Sequence, residues 1–181
     1  FSFVWRRKSW QDGRVNKKVE RNYLEINFLK DLKESEHSSE RYSITLVEPV
    51  DFQLNKFFYK KIGKKHHWID RLVWSEKQWI DYVSNKKVKT YILKNDEDLA
   101  GYFELILHTE KKEVEIAYLG LLEEYQNKKL GSYILSTAIK NSFLKNPQRV
   151  WVHTCSLDHK NALNNYIARG MKIFKKEIIT I

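Results

Sequence analysis

The sequence predicts an α/β fold, a mixed twisted sheet flanked by about four helices. Three observations lead there. The apolar period switches along the chain between two and 3.6 residues, in the order β, β, α, α, β, β, β, α, β, α, β. Three strand-like segments between Thr90 and Leu121 follow one another across short polar turns, which makes them antiparallel neighbours. A helix-patterned segment after Lys128 separates two further strand-like segments, an arrangement that calls for a parallel crossover.

Residues 1–20 show no clean period, although Phe3, Trp5 and Trp10 offer apolar side chains to a domain edge. We divide the chain into a basic extension, residues 1–20, and a single domain, residues 21–181. Residues 22–28 alternate as a strand, and residues 33–40 are a polar loop. Residues 42–47 form the second strand, stopped by Pro49. Leu54, Phe57, Phe58 and Ile62 recur at helical spacing, and Gly63 ends that helix. A loop dense in histidine and aromatics, residues 64–74, follows. Ser75 caps the next helix, Gln78 completes a capping box, and Trp74 staples onto Trp79. The strand at residues 90–93 turns into residues 100–107, which turn through Glu110, Lys111 and Lys112 into the strand bearing Glu115. Ile134, Leu135, Ala138, Ile139 and Phe143 form the inner face of the long helix, closed by Asn146 and Pro147. After a buried-type strand at residues 149–154, Asp158 caps and Gly170 ends the last helix, and residues 173–181 return as a strand.

A chain of 181 residues suits one ordinary domain. No run approaches the roughly 18 apolar residues of a membrane helix, and the apolar start is too short for a secretory signal. A single cysteine, Cys155, excludes an internal disulfide framework and suits a reducing compartment, so the expected location is the cytoplasm. The net charge is +10, and the first 21 residues carry seven Lys/Arg against Asp12 and Glu20. No nucleic-acid motif accompanies that charge, so a solvated extension is preferred over a nucleic-acid-binding arm.

Two features carry chemistry. Glu115, with Glu113 beside it, places a carboxylate within an apolar strand, where it is costly unless something uses it. Strict alternation puts both on one side with Ala117, Leu119 and Leu121. The strand then delivers Gln126, Asn127, Lys128, Lys129, Leu130, Gly131 and Ser132 into a helix start, whose free N–H groups beside lysines suit a phosphate-bearing ligand. Cys155 near His153 and His159 invites a Cys–His nucleophile, but no third residue or oxyanion signature goes with it. His66 and His67 lack a second pair of metal ligands at suitable spacing.

The spacing of Gln126, Lys129 and Gly131, followed by Ala162, Tyr166, Gly170 and Met171, resembles the GCN5-related N-acetyltransferase (GNAT) family. That family carries Gln/Arg-x-x-Gly-x-Gly/Ala after its fourth strand and Ala-x-x-x-Tyr-x-x-x-Gly-Phe at its last helix. Lys129 stands where the first glycine is usual. Residues 42–176 are also similar to a bacterial subgroup of unassigned substrate with HW-x-DRL-x-W, GYFEL, EVE-x-AY-x-GL and WVHTC-x-LDH strings. The resemblance implies a GNAT (acyl-CoA N-acyltransferase) fold and acetyl-CoA-dependent transfer to a primary amine, direct and within a ternary complex. It implies Glu115 as the base, with Glu113 as the alternate, and Tyr166 as the acid for the CoA thiolate. It implies cofactor contacts from Leu119, Leu121, Gln126, Asn127, Lys128, Lys129, Leu130, Gly131, Ser132, Asn161 and His159, the last standing where many members have Asn. The loop bearing His67, Trp68, Arg71 and Trp74 would border the acceptor, a small amine or a peptide amine. No metal and no membrane partner are implied, and a homodimer is compatible. The alternative is a non-catalytic acyl-CoA-binding sensor or scaffold of the same fold.

Overall fold

A computed structural model describes residues 17–180. Phe3, Trp5, Trp10 and Ile181 lie outside the described residues. The strands are β1 (Lys18–Ile26), β2 (Tyr42–Leu46), β3 (Val88–Asn95), β4 (Asp98–His108), β5 (Glu113–Leu121), β6 (Arg149–Cys155) and β7 (Lys172–Thr180). The helices are α1 (Phe52–Gly63), α2 (Glu76–Val83), α3 (Leu130–Phe143) and α4 (Ala162–Ala168). Their order along the chain is the one the periodicity predicts. They build one seven-stranded sheet, β2-β3-β4-β5-β6-β1-β7. Every pairing is antiparallel except β5 with β6, which α3 connects.

β1 begins at Lys18, so the boundary drawn between residues 20 and 21 falls inside a strand. The reason is tertiary: β1 lies between β6 and β7 and is antiparallel to both, which satisfies its backbone on either side. Val19, Leu24 and Ile26 are buried there, while the intervening charges hide the period from a sequence reading. From the end of β1 the chain crosses the outer side of α3 and α4. The Lys33 N–H donates to the Arg169 carbonyl, and the Ser35 hydroxyl donates to Ser132 at 2.9 Å. Gly170 sits in the left-handed region (φ 100°), and a Cβ there would lie 2.2 Å from the Asp31 carbonyl oxygen. The crossing segment and a side chain at that position are mutually exclusive.

α1 and α2 lie on the other face of the sheet. α2 opens with the predicted capping box of Ser75 and Gln78, and Trp74 packs edge-on against Trp79 at 5.0 Å. Beneath them Glu104 of β4 is fully buried and accepts from Arg71 Nη1 at 2.9 and 3.1 Å, Tyr82 at 2.8 Å and Asn55 at 2.7 Å. The Arg71 guanidinium also rests on the rings of Tyr82 (4.1 Å) and Tyr118 (4.4 Å). Burial opposes its charge, but the Glu104 carboxylate prevails and holds its proton well above the ordinary range. Removing one partner from such a pair destabilises a fold by about 3–5 kcal/mol. Arg71 and Trp74 therefore serve the packing of α1 and α2. Among the described residues, no helix is long and apolar enough to cross a membrane.

Candidate active site

β5 and β6 pair only at Glu113–Arg149, Val114–Val150 and Glu115–Trp151. Beyond that point they part. Glu104 of β4 faces Tyr118 and Leu105 faces Ile116, which leaves Ala117 as the extra residue of a β-bulge. The bulge bends β5 away from β6 and shifts its alternation. Glu113, Glu115, Tyr118 and Gly120 consequently share the face under α1, whereas Ile116, Leu119 and Leu121 share the opposite one. The strict alternation that grouped Leu119 and Leu121 with Glu115 is corrected at this residue.

The gap is a cleft of about 800 Å³. Its walls are residues 116–121 of β5, Val152, His153 and Cys155 of β6, the start of α3, Tyr166 of α4, and the loop after α1. Having lost β6, the adjacent edge of β5 carries backbone groups free to pair with an extended ligand.

One end of the cleft is the start of α3. Asn127 and Lys129 are both left-handed, each with φ 60°, and Lys129 occupies the N-cap without giving a side-chain cap. The N–H groups of Leu130, Gly131 and Ser132 therefore have no partner within the helix. Lys128 and Lys129 add positive charge, and Gln126, Asn127, Lys129, Gly131 and Ser132 all line the cleft. Leu130 itself points inward and is fully buried. The left-handed conformation that the usual glycine would supply is thus kept by Lys129, at about 1 kcal/mol. A Cβ on Gly131 would meet only Asn165 Nδ2, at 3.7 Å, so the space in front of it belongs to the cleft. The donor set suits a pyrophosphate. Asn165 Nδ2 donates to the Gly131 carbonyl at 3.0 Å and ties α4 to this end.

Tyr166 stands on the wall between the two ends. Burial raises its pKa, which keeps the phenol protonated, and among the described residues its hydroxyl has no hydrogen-bond partner in the protein. Asn161 is the N-cap of α4 without a side-chain cap bond, and its N–H donates to His159 Nδ1 at 3.2 Å. The expected cap, Asp158, instead accepts from the Thr154 hydroxyl (2.6 Å) and the Cys155 N–H (3.0 Å), shaping the turn before α4. His66 Nδ1 lies 3.3 Å from the Leu157 carbonyl oxygen, and its ring lies 6.4 Å from that of His159. These two loops meet across the cleft.

The other end lies on the face under α1. Trp68 packs edge-on against Tyr118 at 4.7 Å, and a Cβ on Gly63 would lie 2.5 Å from the Trp68 Cβ. Only glycine lets the indole turn in at the end of α1. His67, left-handed at φ 56°, and Trp68 line the cleft, as does Asp70. The Asp70 carboxylate accepts from Tyr59 at 2.6 Å and from Tyr118 at 3.0 and 3.2 Å. Across the gap, His153 lies beside Tyr23 with ring centres 5.7 Å apart. Burial, with the Arg21 charge, pushes the pKa of His153 below the ordinary value, so the imidazole is neutral at pH 7. Burial raises the Cys155 thiol, which opposes a thiolate nucleophile.

Glu115 does not line the cleft. It stands at the closed end of the β5–β6 pairing, 2.8 Å from His108 Nε2, while Glu113 binds Arg149 Nη2 at 2.7 Å. Of the residues expected at the site, His67, Trp68, Leu119, Leu121, Gln126, Asn127, Lys129, Gly131, Ser132, His159, Asn161 and Tyr166 come together around one cavity, and Arg71, Trp74, Glu115, Lys128 and Leu130 do not line it. Sequence reasoning missed Arg21, Asp70 and Tyr118, and it considered His153 only beside Cys155. For His153 a signal was present, since Trp151, His153 and Cys155 alternate onto one face.

The family profile described as acetyltransferase (GNAT) matches residues 52–171. Among solved structures, a conserved, functionally unknown protein from Staphylococcus epidermidis is similar, with 20% identity, TM-score 0.63, and coverage of 90% of this chain and 60% of that one. A GCN5-related N-acetyltransferase from Sphaerobacter thermophilus has 10% identity and TM-score 0.68, over 90% of this chain and 50% of that one. The spermidine N-acetyltransferase from Vibrio cholerae, solved in complex with CoA and spermine, has 14% identity and TM-score 0.59, over 78% of this chain and 96% of that one. The chain thus spans 60% and 50% of the length of the first two. No curated protein sequence matches it significantly. The profile match extends over most of the chain, and the overall fold is shared with the matching structures: the chain belongs to the GNAT acetyltransferase family.

Proposed function

We propose that this protein is an acetyl-CoA-dependent N-acetyltransferase that acts on a primary amine by direct transfer in a ternary complex. The observation that carries this reading is continuity. One cleft joins an anion-binding helix start, an open strand edge, a protonated phenol and a neutral imidazole. When bound, acetyl-CoA supplies an acetyl group on a thioester, whose C–S bond breaks as the C–N bond to the amine forms. The N–H groups of Leu130, Gly131 and Ser132, with Lys128 and Lys129, hold the pyrophosphate. The free edge of residues 116–121 aligns the extended arm by main-chain hydrogen bonds. His153 Nε2 or Nδ1 takes the ammonium proton at the opposite wall. Glu115 favours the resulting imidazolium, since its charge acts on His153 in the direction that raises the pKa. Proton removal is thereby moved from Glu115, which the sequence suggested, to the residue that borders the cavity. Tyr166 Oη delivers a proton to the departing sulfur, and the second proton that the nitrogen sheds as the amide forms restores the phenol.

Release of free CoA thiol on incubation with a panel of amines and peptides tests the reading and separates it from a sensor that binds without turnover. Tyr166→Phe is expected to lower kcat by about 10²-fold, the lower end for a general acid, because a thiolate leaves tolerably well unprotonated. Acetyl-CoA affinity should persist, and stability should change by about 1 kcal/mol or less. A sharp fall in Tm with unchanged kcat would make Tyr166 a packing residue only.

A further inference from the structure

Two charged side chains at the acceptor end of the cleft neither give nor take a proton in the transfer. Asp70, from the loop after α1, and Arg21, from β1, both line the cleft, and the charges of both act on His153. Asp70 is held in place by two phenols, Tyr59 and Tyr118. Its neighbour Arg71 is turned away into the pair with Glu104, so no cation among the described residues neutralises it. Its remaining lone pairs and the rings of Trp68 and Tyr118 suit an ammonium.

Arg21 belongs to β1, opposite Cys155. Its side chain is only 12% exposed, yet its closest carboxylate, Glu177, is 3.6 Å away. The same Glu177 oxygen accepts from Tyr23, and its other oxygen binds Lys175 at 3.1 Å. Arg21 Nε is buried with no hydrogen-bond partner among the described residues. A guanidinium so far removed from water and so weakly paired is costly unless an incoming acceptor completes it. Its planar fork matches a carboxylate in two-point contact. The nearby Glu177 charge favours a monoanion over a phosphate dianion.

We propose that the acceptor is a small amine that also carries a carboxylate, an amino-acid-type molecule, with its ammonium at Asp70 and its carboxylate at Arg21. This rests on the transferase reading for its chemistry but not for its test. L-lysine is compared with cadaverine, and L-phenylalanine with phenethylamine, pairs that differ by the carboxylate alone. Melting of the CoA-saturated full chain and acetylation rates are both measured. The carboxylated member should give the larger Tm shift and a KM at least tenfold lower. Arg21→Met should erase that preference, Arg21→Lys should keep part of it, and the CoA-induced shift should be intact in both. Equal binding within each pair overturns the proposal, as does a preference that survives Arg21→Met. The wild-type comparison stands even if Arg21→Met fails to fold. A protein that acetylates decarboxylated amines equally well loses this proposal and keeps the transferase. One that binds the amino acids yet transfers nothing keeps it and loses the transferase.

Discussion

His153→Gln is expected to lower kcat/KM by about 10²–10⁴-fold, the range for loss of a general base. The amide preserves much of the shape and polarity of the imidazole but cannot accept a proton at neutral pH. On the proposed mechanism His153 can act as a base because burial and the Arg21 charge keep it neutral. The wild-type rate should therefore hold down to the ordinary histidine range, near 6.5, and fall only below it. In His153→Gln the rate should track the fraction of free amine, rising roughly tenfold per pH unit toward the amine pKa. The same shift has a stability signature. The folded pKa is depressed, so the unfolded chain takes the proton first. Stability from this residue is constant above the ordinary value and is lost as pH falls from there to the folded pKa. Glu115→Gln is the discriminating control. It should cost less than His153→Gln, because Glu115 acts through the imidazole and is itself held by His108. If Glu115→Gln abolishes turnover while His153→Gln leaves it intact, the base is the strand carboxylate and not His153.

Gly131→Glu should abolish the rise in Tm that CoA and acetyl-CoA cause. A ligand bound only to the native state at a hundred times its Kd contributes about 2.7 kcal/mol, and all of it should vanish. The added carboxylate would occupy the place of the pyrophosphate and oppose its charge in front of the free N–H groups of α3. The fold itself should tolerate the change. A Cβ at Gly131 meets nothing closer than 3.7 Å, and an acid in the first turn of a helix is favourable by about 0.3–1 kcal/mol. Gly131→Ala, which adds the Cβ without the charge, should keep most of the shift. An undiminished shift in folded Gly131→Glu would remove the start of α3 as the phosphate site.

The eleven elements were legible because each has a local cause. Apolar alternation marks β3 to β6, Ser75 and Gln78 open α2, and Gly170 with its left-handed backbone ends the stretch after α4. What stayed hidden depended on partners far along the chain. β1 is a strand from Lys18 because β6 and β7 flank it, and nothing in its charged sequence announces that. The bulge at Ala117 exists only against β4, so counting by twos along β5 assigned Leu119 and Leu121 to the wrong face. Arg71 and Trp74 were expected beside the acceptor because the resemblance places their loop there, and the structure instead turns both into the packing of α1 and α2. The missed clue was Glu104, a lone acid in an apolar strand that needs a counter-charge. The helix start of the cradle was readable from Gln126, Lys129 and Gly131, since it rests on local backbone geometry alone.

The most direct test of direct amine acetylation in this cleft is mass spectrometry after incubation with isotopically labelled acetyl-CoA and mixed amino acids, peptides and polyamines. The account predicts labelled acetyl on an amine nitrogen well above the spontaneous level, stoichiometric free CoA, and no acetyl on Cys155 at any time. Labelled acetyl-Cys155 formed and discharged at the turnover rate, or no acetylated amine above the spontaneous level, would contradict it.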